Sequence, residues 1–396
     1  MLNARSEPSF PMMRTTVALC KWVGLWDETK RNRPGWPALV LVASLILWYI
    51  VPSMIFMIRQ EKVLLVQLKP TLELFAMIIF VFRLLTHIVY LDKLQSCYHG
   101  IRGVLSEFVD SSFEDVRKIL AHLQLSSERL VKYYTCGVLL QASIYGWVPA
   151  VITIFRYAFG LEIIAFPSTV LEADFVFFDQ KSSFWIWLPV MITSLAVQYL
   201  MLVIISTNEC LLWNQLHHVS CTFKLIAAEI RMLDHWKDAV GFRLKLASIV
   251  SHHESCYGSA RLLESSLRPV MAILYCSCVF QTCYIMFVVS IVKDYILIGS
   301  MIFVLNYTVF VIFTFSMLGT ELMDASSAVS DAIYNSHWYK RSYQDQRLLL
   351  FMLSRSQKAV FISAAKFFPI TRATFGGAMK SAFSFFTVMQ QFYRDD

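Results

Sequence analysis

The chain has 396 residues, of which 57% are hydrophobic and only 16% charged, with a mean hydropathy of +0.55. That balance excludes an ordinary soluble single-core protein, and the aliphatic and aromatic load excludes disorder. The formal charge of +7 calls for no nucleic acid, because the basic residues are spread over connecting segments in the uneven way that membrane topology demands.

Residues 1–35 carry six Lys/Arg, no apolar core of a secretory signal and no small-residue cleavage site. They read as a tail that stays on the side where it was made. Apolar segments long enough to cross a hydrocarbon core of roughly 30 Å, about 20 helical residues, then follow near 36–58, 70–91, 133–155, 184–208, 269–292 and 295–318. A seventh lies near 370–392. Lipid permits only helices or closed barrels, and runs this long are not strands. The expected fold class is an all-α membrane protein with seven transmembrane helices.

Lys and Arg set the orientation. The 1–35 tail and the 92–132, 211–266 and 319–369 connections hold six each, whereas the alternate set holds three (Arg59, Lys62, Lys69), two (Arg156, Lys181), one (Lys293) and one (Arg394). The N-terminus is therefore expected in the cytoplasm and the short 393–396 tail outside. That is the reverse of a G-protein-coupled receptor. The two halves show no mirrored hydropathy, which disfavours an inverted-repeat transporter. The long connections lack Gly/Ser runs. In 347–362, Leu348, Leu349, Phe351, Met352, Val360 and Phe361 recur among charges at helical spacing. We expect the helices to continue past the bilayer into an intracellular anchor bundle, the alternative being amphipathic faces that lie on the membrane.

Candidate chemistry is sparse. His217, His218 and Cys221, with His252, His253 and Cys256, have metal-ligand spacing on helices. Nothing in the sequence unites the two stretches, and no metal or cofactor is expected. Cys276 and Cys278 read as small packing residues. The Asn306-Tyr307-Thr308 glycosylation pattern falls inside the sixth segment, where Asn306 is expected to face the protein interior. No nucleophile elbow, phosphate loop or paired intramembrane carboxylate appears, so no enzyme is expected.

Three segments have outer halves suited to an apolar ligand cavity, and equally to helix packing. These are Leu72, Phe75, Ile78 and Ile79 in the second, Ser143, Tyr145, Gly146, Trp147 and Ala150 in the third, and Trp185, Met191 and Leu195 in the fourth. In the last segment, at about 100° per residue, Gly377, Lys380, Ser381, Ser384, Thr387, Val388 and Gln391 fall on one arc of about 120°. Phe375, Phe383, Phe385, Phe386, Met389 and Phe392 occupy the rest. Such a stripe suits a helix lining water or a small-residue packing seam, and geometry leaves both open.

The run from Ser384 to Phe392 resembles the close of the insect chemoreceptor superfamily, which ends Thr-Tyr, five mostly apolar residues and Gln-Phe. Gln391 and Phe392 stand as in that pattern. Ser384 and Phe385 replace Thr-Tyr, and Thr387 and Gln390 interrupt the apolar five, which shifts the match from gustatory receptors towards odorant receptors. The resemblance extends along the whole chain, through Tyr334, Trp338, Pro369 and the 373–386 stretch.

It implies an odorant-binding subunit of a ligand-gated, non-selective cation channel in the olfactory neuron dendrite, assembled with a co-receptor subunit as a heterotetramer. A gustatory channel of the same superfamily is the alternative. By the resemblance, Val388 forms the hydrophobic constriction and Gln391 the polar ring outside it, with Ser381, Ser384 and Thr387 lining the pore and Lys380 departing from what a cation path wants. A volatile odorant would bind among Leu72, Phe75, Ile78, Ile79, Ser143, Tyr145, Gly146, Trp147, Ala150, Met191, Leu195 and Asn306.

Overall fold

Four helices of this chain are far longer than a bilayer is thick. In the computed structural model the described residues are 12–26, 36–59, 64–109, 111, 113–160, 173–175, 183–292 and 295–395. The rest of the 1–35 tail and Lys62, Lys181 and Lys293 lie outside them. Short helices come first: α1 (Arg14–Trp22), α2 (Trp36–Leu45) and α3 (Val51–Arg59), with α2 and α3 joined by a π turn over Ile46–Ile50. Pro52 explains that turn, since its ring clashes with the carbonyl four residues back and the wider π turn relieves the crowding.

After α4 (Leu64–Val89) and α5 (Leu91–Phe108) come α6 (Glu114–Ala158), α7 (Phe184–Met232), α8 (Ala239–Ile291) and α9 (Tyr295–Tyr334), of 45, 49, 53 and 40 residues. At 1.5 Å per residue these measure roughly 60–80 Å, about twice a hydrocarbon core. Each must project well beyond one face of the membrane. Helix α10 (Tyr343–Ser356), a two-residue antiparallel pair β1 (Ser363–Ala364) and β2 (Phe368–Pro369), and α11 (Arg372–Asp395) complete the order.

The projecting parts pack together. Helix α5 buries Leu94, Tyr98, Ile101, Leu105 and Phe108 at helical spacing against α7 and α8, and α10 adds Leu349 and Met352 to the same cluster. The expected bundle is thus present, although the 347–362 stretch is helical only as far as Ser356, and Val360 and Phe361 fall in the non-helical chain after it. Leu348 and Phe351, on the other face of α10, stay exposed.

Among the described residues, six helical stretches are long and apolar enough to cross a membrane: Leu39–Arg59, Gln67–Val89, and stretches within Glu114–Ala158, Phe184–His235, Ala239–Ile291 and Met301–Lys340. The seventh predicted segment does form a helix, α11. It falls short of that measure because one of its faces carries Gly, Ser, Thr, Gln and Lys. Its N-terminal end is clamped on α9, where Arg372 N donates to Thr320 Oγ1 at 3.0 Å and Gly319 lies against the Ile370 carbonyl. Before it, Ala365 and Lys366 take positive φ (48° and 66°) in the β1–β2 turn. A type I′ turn demands that conformation at both central positions, and Phe367 N donates to Ala364 O at 2.9 Å across them, although neither residue is a glycine.

Candidate functional site

The predicted ligand-binding residues fall into two nests. In the first, Gly146 and Ala150 sit one turn apart on α6 and face α7. A Cβ on Gly146 would lie 2.6 Å from Leu195 Cδ2 and 2.8 Å from Gln198 Oε1. A side chain there would have to displace those two flexible ends. Ala150, Met191 and Leu195 share a buried cluster with Trp187, and one turn along α6 the Ser143 hydroxyl meets the Tyr199 hydroxyl at 2.6 Å. In the second nest, Leu72 of α4 packs with Ile285, Val288 and Met301. Phe75 lies against Phe280 with ring centroids 4.7 Å apart, and Ile79 enters the main core.

Ile78 and Trp147 are about half exposed and Trp185 more so, which places them outside both nests. The side chain of Tyr145 is outside the described residues. Asn306 corrects its expectation: it lines an open groove between α6 and α9, not the interior, because its amide is satisfied by the Ile302 carbonyl of its own helix at 3.0 Å.

Helix α11 sorts its faces as follows. Phe375, Ala378, Met379 and fully buried Ala382 form the seam against α8 and α9, with Phe375 set 5.5 Å from the Phe313 ring. Ser381, Ser384, Thr387, Val388 and Gln391 are all exposed, as is Lys380, while Gln390 is half-buried. The small polar stripe is thus not the seam against the chain's own helices. Its hydroxyls are partly satisfied locally, Ser381 donating to Gly377 O at 3.0 Å and Thr387 to Ser384 O at 2.8 Å. An apolar groove of ≈ 800 Å³ runs between α8 and α11 past Phe280 and Phe385, and Ser381 and Val388 of the stripe reach its edge.

A buried ionic site went unread in the sequence. Arg83 of α4 donates to Glu209 Oε1 of α7 at 2.6 Å, and the Tyr307 hydroxyl of α9 donates to the same oxygen at 2.9 Å. Arg83 is 5% and Glu209 0% exposed. The signal was present: a lone arginine inside the 70–91 apolar segment must find a carboxylate, because an unpaired charge there is prohibitively costly.

The histidine and cysteine stretches do lie on neighbouring helices, Thr222 Oγ1 meeting Cys256 Sγ at 2.8 Å, but their histidines part company. His252 turns to Glu107 at 2.7 Å and His253 to Ser356 at 3.3 Å. His217 Nδ1 meets Glu321 at 3.0 Å, with Cys221 Sγ 4.0 Å from the other ring nitrogen. Lys224 Nζ already holds Glu321 at 2.6 Å. This is an ion-pair network at the bundle end, occupied by its own cation.

The 7tm odorant receptor family model matches residues 68–383. The chain belongs to the odorant receptor family. Odorant receptor 85b of Drosophila melanogaster is 26% identical to it over 159 residues, 40% of each chain. The odorant receptor coreceptor of Drosophila melanogaster is 32% identical over 87 residues, 22% of this chain and 18% of the relative. The receptor thus spans less than half the length of these curated relatives. Over its whole length it shares the fold of the insect olfactory receptor OR5 from Machilis hrabei, solved with eugenol, at a TM-score of 0.75 and 14% identity, covering 96% and 97% of the two chains. The receptor is a multi-pass membrane protein, and a receptor family, not an enzyme family, accounts for it.

Proposed function

We propose that this receptor is the odorant-binding subunit of a heteromeric, ligand-gated, non-selective cation channel, assembled with a co-receptor subunit in the olfactory neuron dendrite. Its N-terminus lies in the cytoplasm and its C-terminus outside. A volatile occupies the apolar nest of Gly146, Ala150, Met191 and Leu195. Four copies of α11, contributed by the subunits of a tetramer, surround the pore.

The observation that carries the reading is the exposed stripe of Ser381, Ser384, Thr387, Val388 and Gln391 on the side of α11 opposite its packing seam. A 24-residue helix is about 36 Å long, enough to cross a hydrocarbon core. A lone helix gains nothing by showing hydroxyls and amides to lipid; one lining water does. Val388 stands among these polar residues as the apolar constriction, which blocks ions by dewetting when narrow. Leu348, Phe351 and Phe367, exposed outside the membrane-crossing stretches, supply an apolar surface for neighbouring subunits.

Cells expressing the receptor with the co-receptor are expected to give odour-evoked cation currents, and Gln391→Lys to lower cation permeability by placing fixed positive charge at the mouth. Unchanged selectivity in that variant would remove Gln391 from the pore.

A further inference from the structure

We infer that the groove between α6 and α9 is a binding site for a membrane sterol, a fused-ring amphiphile with one hydroxyl. The site is separate from the nest assigned to the odorant and does not depend on the gating mechanism proposed above.

The groove has a volume of ≈ 530 Å³ and runs from Leu130 to Gln141 along α6, a length of roughly 16 Å. It lies between two helices that are long and apolar enough to cross a membrane and opens on their outer face, where Tyr133 is 72% and Phe310 50% exposed. Its floor is built for a flat apolar body. A Cβ at Gly137 would meet nothing within 4 Å, and the stacked rings of Tyr134 and Phe310 form the adjoining wall.

The unpartnered buried polar atoms of the groove lie at one end. At the end away from the bundle, the Gln141 amide donates to Phe303 O and the Asn306 amide to Ile302 O, each at 3.0 Å. Both amides therefore already have a partner within the protein. At the bundle end, the Tyr134 hydroxyl and the Trp213 indole N–H are buried, 8% and 1% exposed as residues, and neither has a hydrogen-bond partner. Buried polar groups of this kind are rarely left unpaired, because each forfeits its hydration. An apolar ligand carrying one hydroxyl at its bundle end supplies what they lack. A phospholipid tail supplies none, and its phosphate is too large and too charged for a wall of aromatic rings.

Residues Lys132, Tyr134 and Val138 add the order basic, aromatic, branched apolar along the same helix. That order is a weak sterol pattern by itself. Here it borders the groove, with the exposed Lys132 placed at the end where a hydroxyl meets the membrane interface.

The test uses the full-length receptor, purified with its co-receptor and placed in phosphatidylcholine vesicles with a photoreactive, alkyne-bearing cholesterol. Crosslinks mapped by mass spectrometry are expected in residues 130–141 and 306–314, with unlabelled cholesterol competing and added phosphatidylcholine not competing. Gly137→Leu, which fills the groove from an open position, is expected to reduce this labelling about tenfold or more. Tyr134→Phe, which keeps the shape, is expected to remove about a two- to tenfold preference for cholesterol over its methyl ether. Retention of the complex on gel filtration shows that each variant is folded. Labelling spread evenly over all lipid-facing helices, or unchanged by Gly137→Leu, overturns the assignment. Displacement by volatile agonists at this site would also overturn it and give the groove to the odorant.

Discussion

Gly319 is the position at which one methyl group should do most damage. It lies on α9 where the chain enters α11, and a Cβ there would stand 2.2 Å from Ile370 O. A comfortable carbon-to-carbonyl contact is about 3.3 Å, so Gly319→Ala must open the crossing by about 1 Å. Both parties are backbone. Neither can rotate away, and the adjacent hydrogen bond from Arg372 N to Thr320 Oγ1 must stretch with them. Overpacking of this kind costs about 1–3 kcal/mol, against which alanine recovers up to about 1 kcal/mol of helix propensity over glycine. The net loss should be about 1–2 kcal/mol, lowering Tm by a few degrees when the purified complex is melted under tryptophan fluorescence. Gly103→Ala on α5, where a Cβ meets nothing, is the control and should hold or raise Tm. An equal or higher Tm for Gly319→Ala would refute the close approach and the clamp built on it.

Two further outcomes follow from packing and charge. Glu209→Ala strands Arg83 as a buried, unpaired cation and should cost about 3–5 kcal/mol, enough to empty the cell surface of receptor in a biotinylation assay. The double change Arg83→Met, Glu209→Leu should restore much of that level, and a single variant as mild as the double would mean that the pair is not buried. Gly146→Ala meets only the flexible ends of Leu195 and Gln198, so surface expression should hold. Half-maximal agonist concentration should move about tenfold or more, since one methyl group in an apolar pocket is worth about 1–3 kcal/mol. An unmoved dose–response would take Gly146 out of the ligand nest.

Hydropathy read well wherever a property was summed over 20 residues. The six apolar spans and the amphipathic stretch that became α10 were legible, because burial periodicity survives without knowledge of partners. The two-faced character of α11 was legible for the same reason, whereas which face would pack was not, since small residues serve both seams and water. Pairwise geometry was the part that failed. Arg83 and Glu209 are 126 positions apart, and no local pattern announces such a partner. Asn306 went astray because its amide bonds back to its own helix, leaving it free to face outward. His217 and Cys221 found Glu321 and Lys224 in place of the second histidine stretch, a choice made by the docking of α9 on α7.

Helix α9 joins the features that the sequence left scattered. Within 13 residues it carries Tyr307 on the buried ion pair, Phe313 on the α11 seam and Gly319 at the clamp. A packed helix shifts as a unit more readily than it bends. Ligand can gate only by favouring one of its positions, so Tyr307→Phe at one end and Gly319→Ala at the other should bias a single displacement. The two residues are about 18 Å apart along the helix, a separation at which stability effects normally add to within about 0.5 kcal/mol. Stability should therefore show additive losses in the double variant. Open probability, measured as spontaneous current with the co-receptor, should show a coupling clearly above that limit. Additivity in both measurements would mean that α9 does not move as one piece and that its two ends serve separate structural needs.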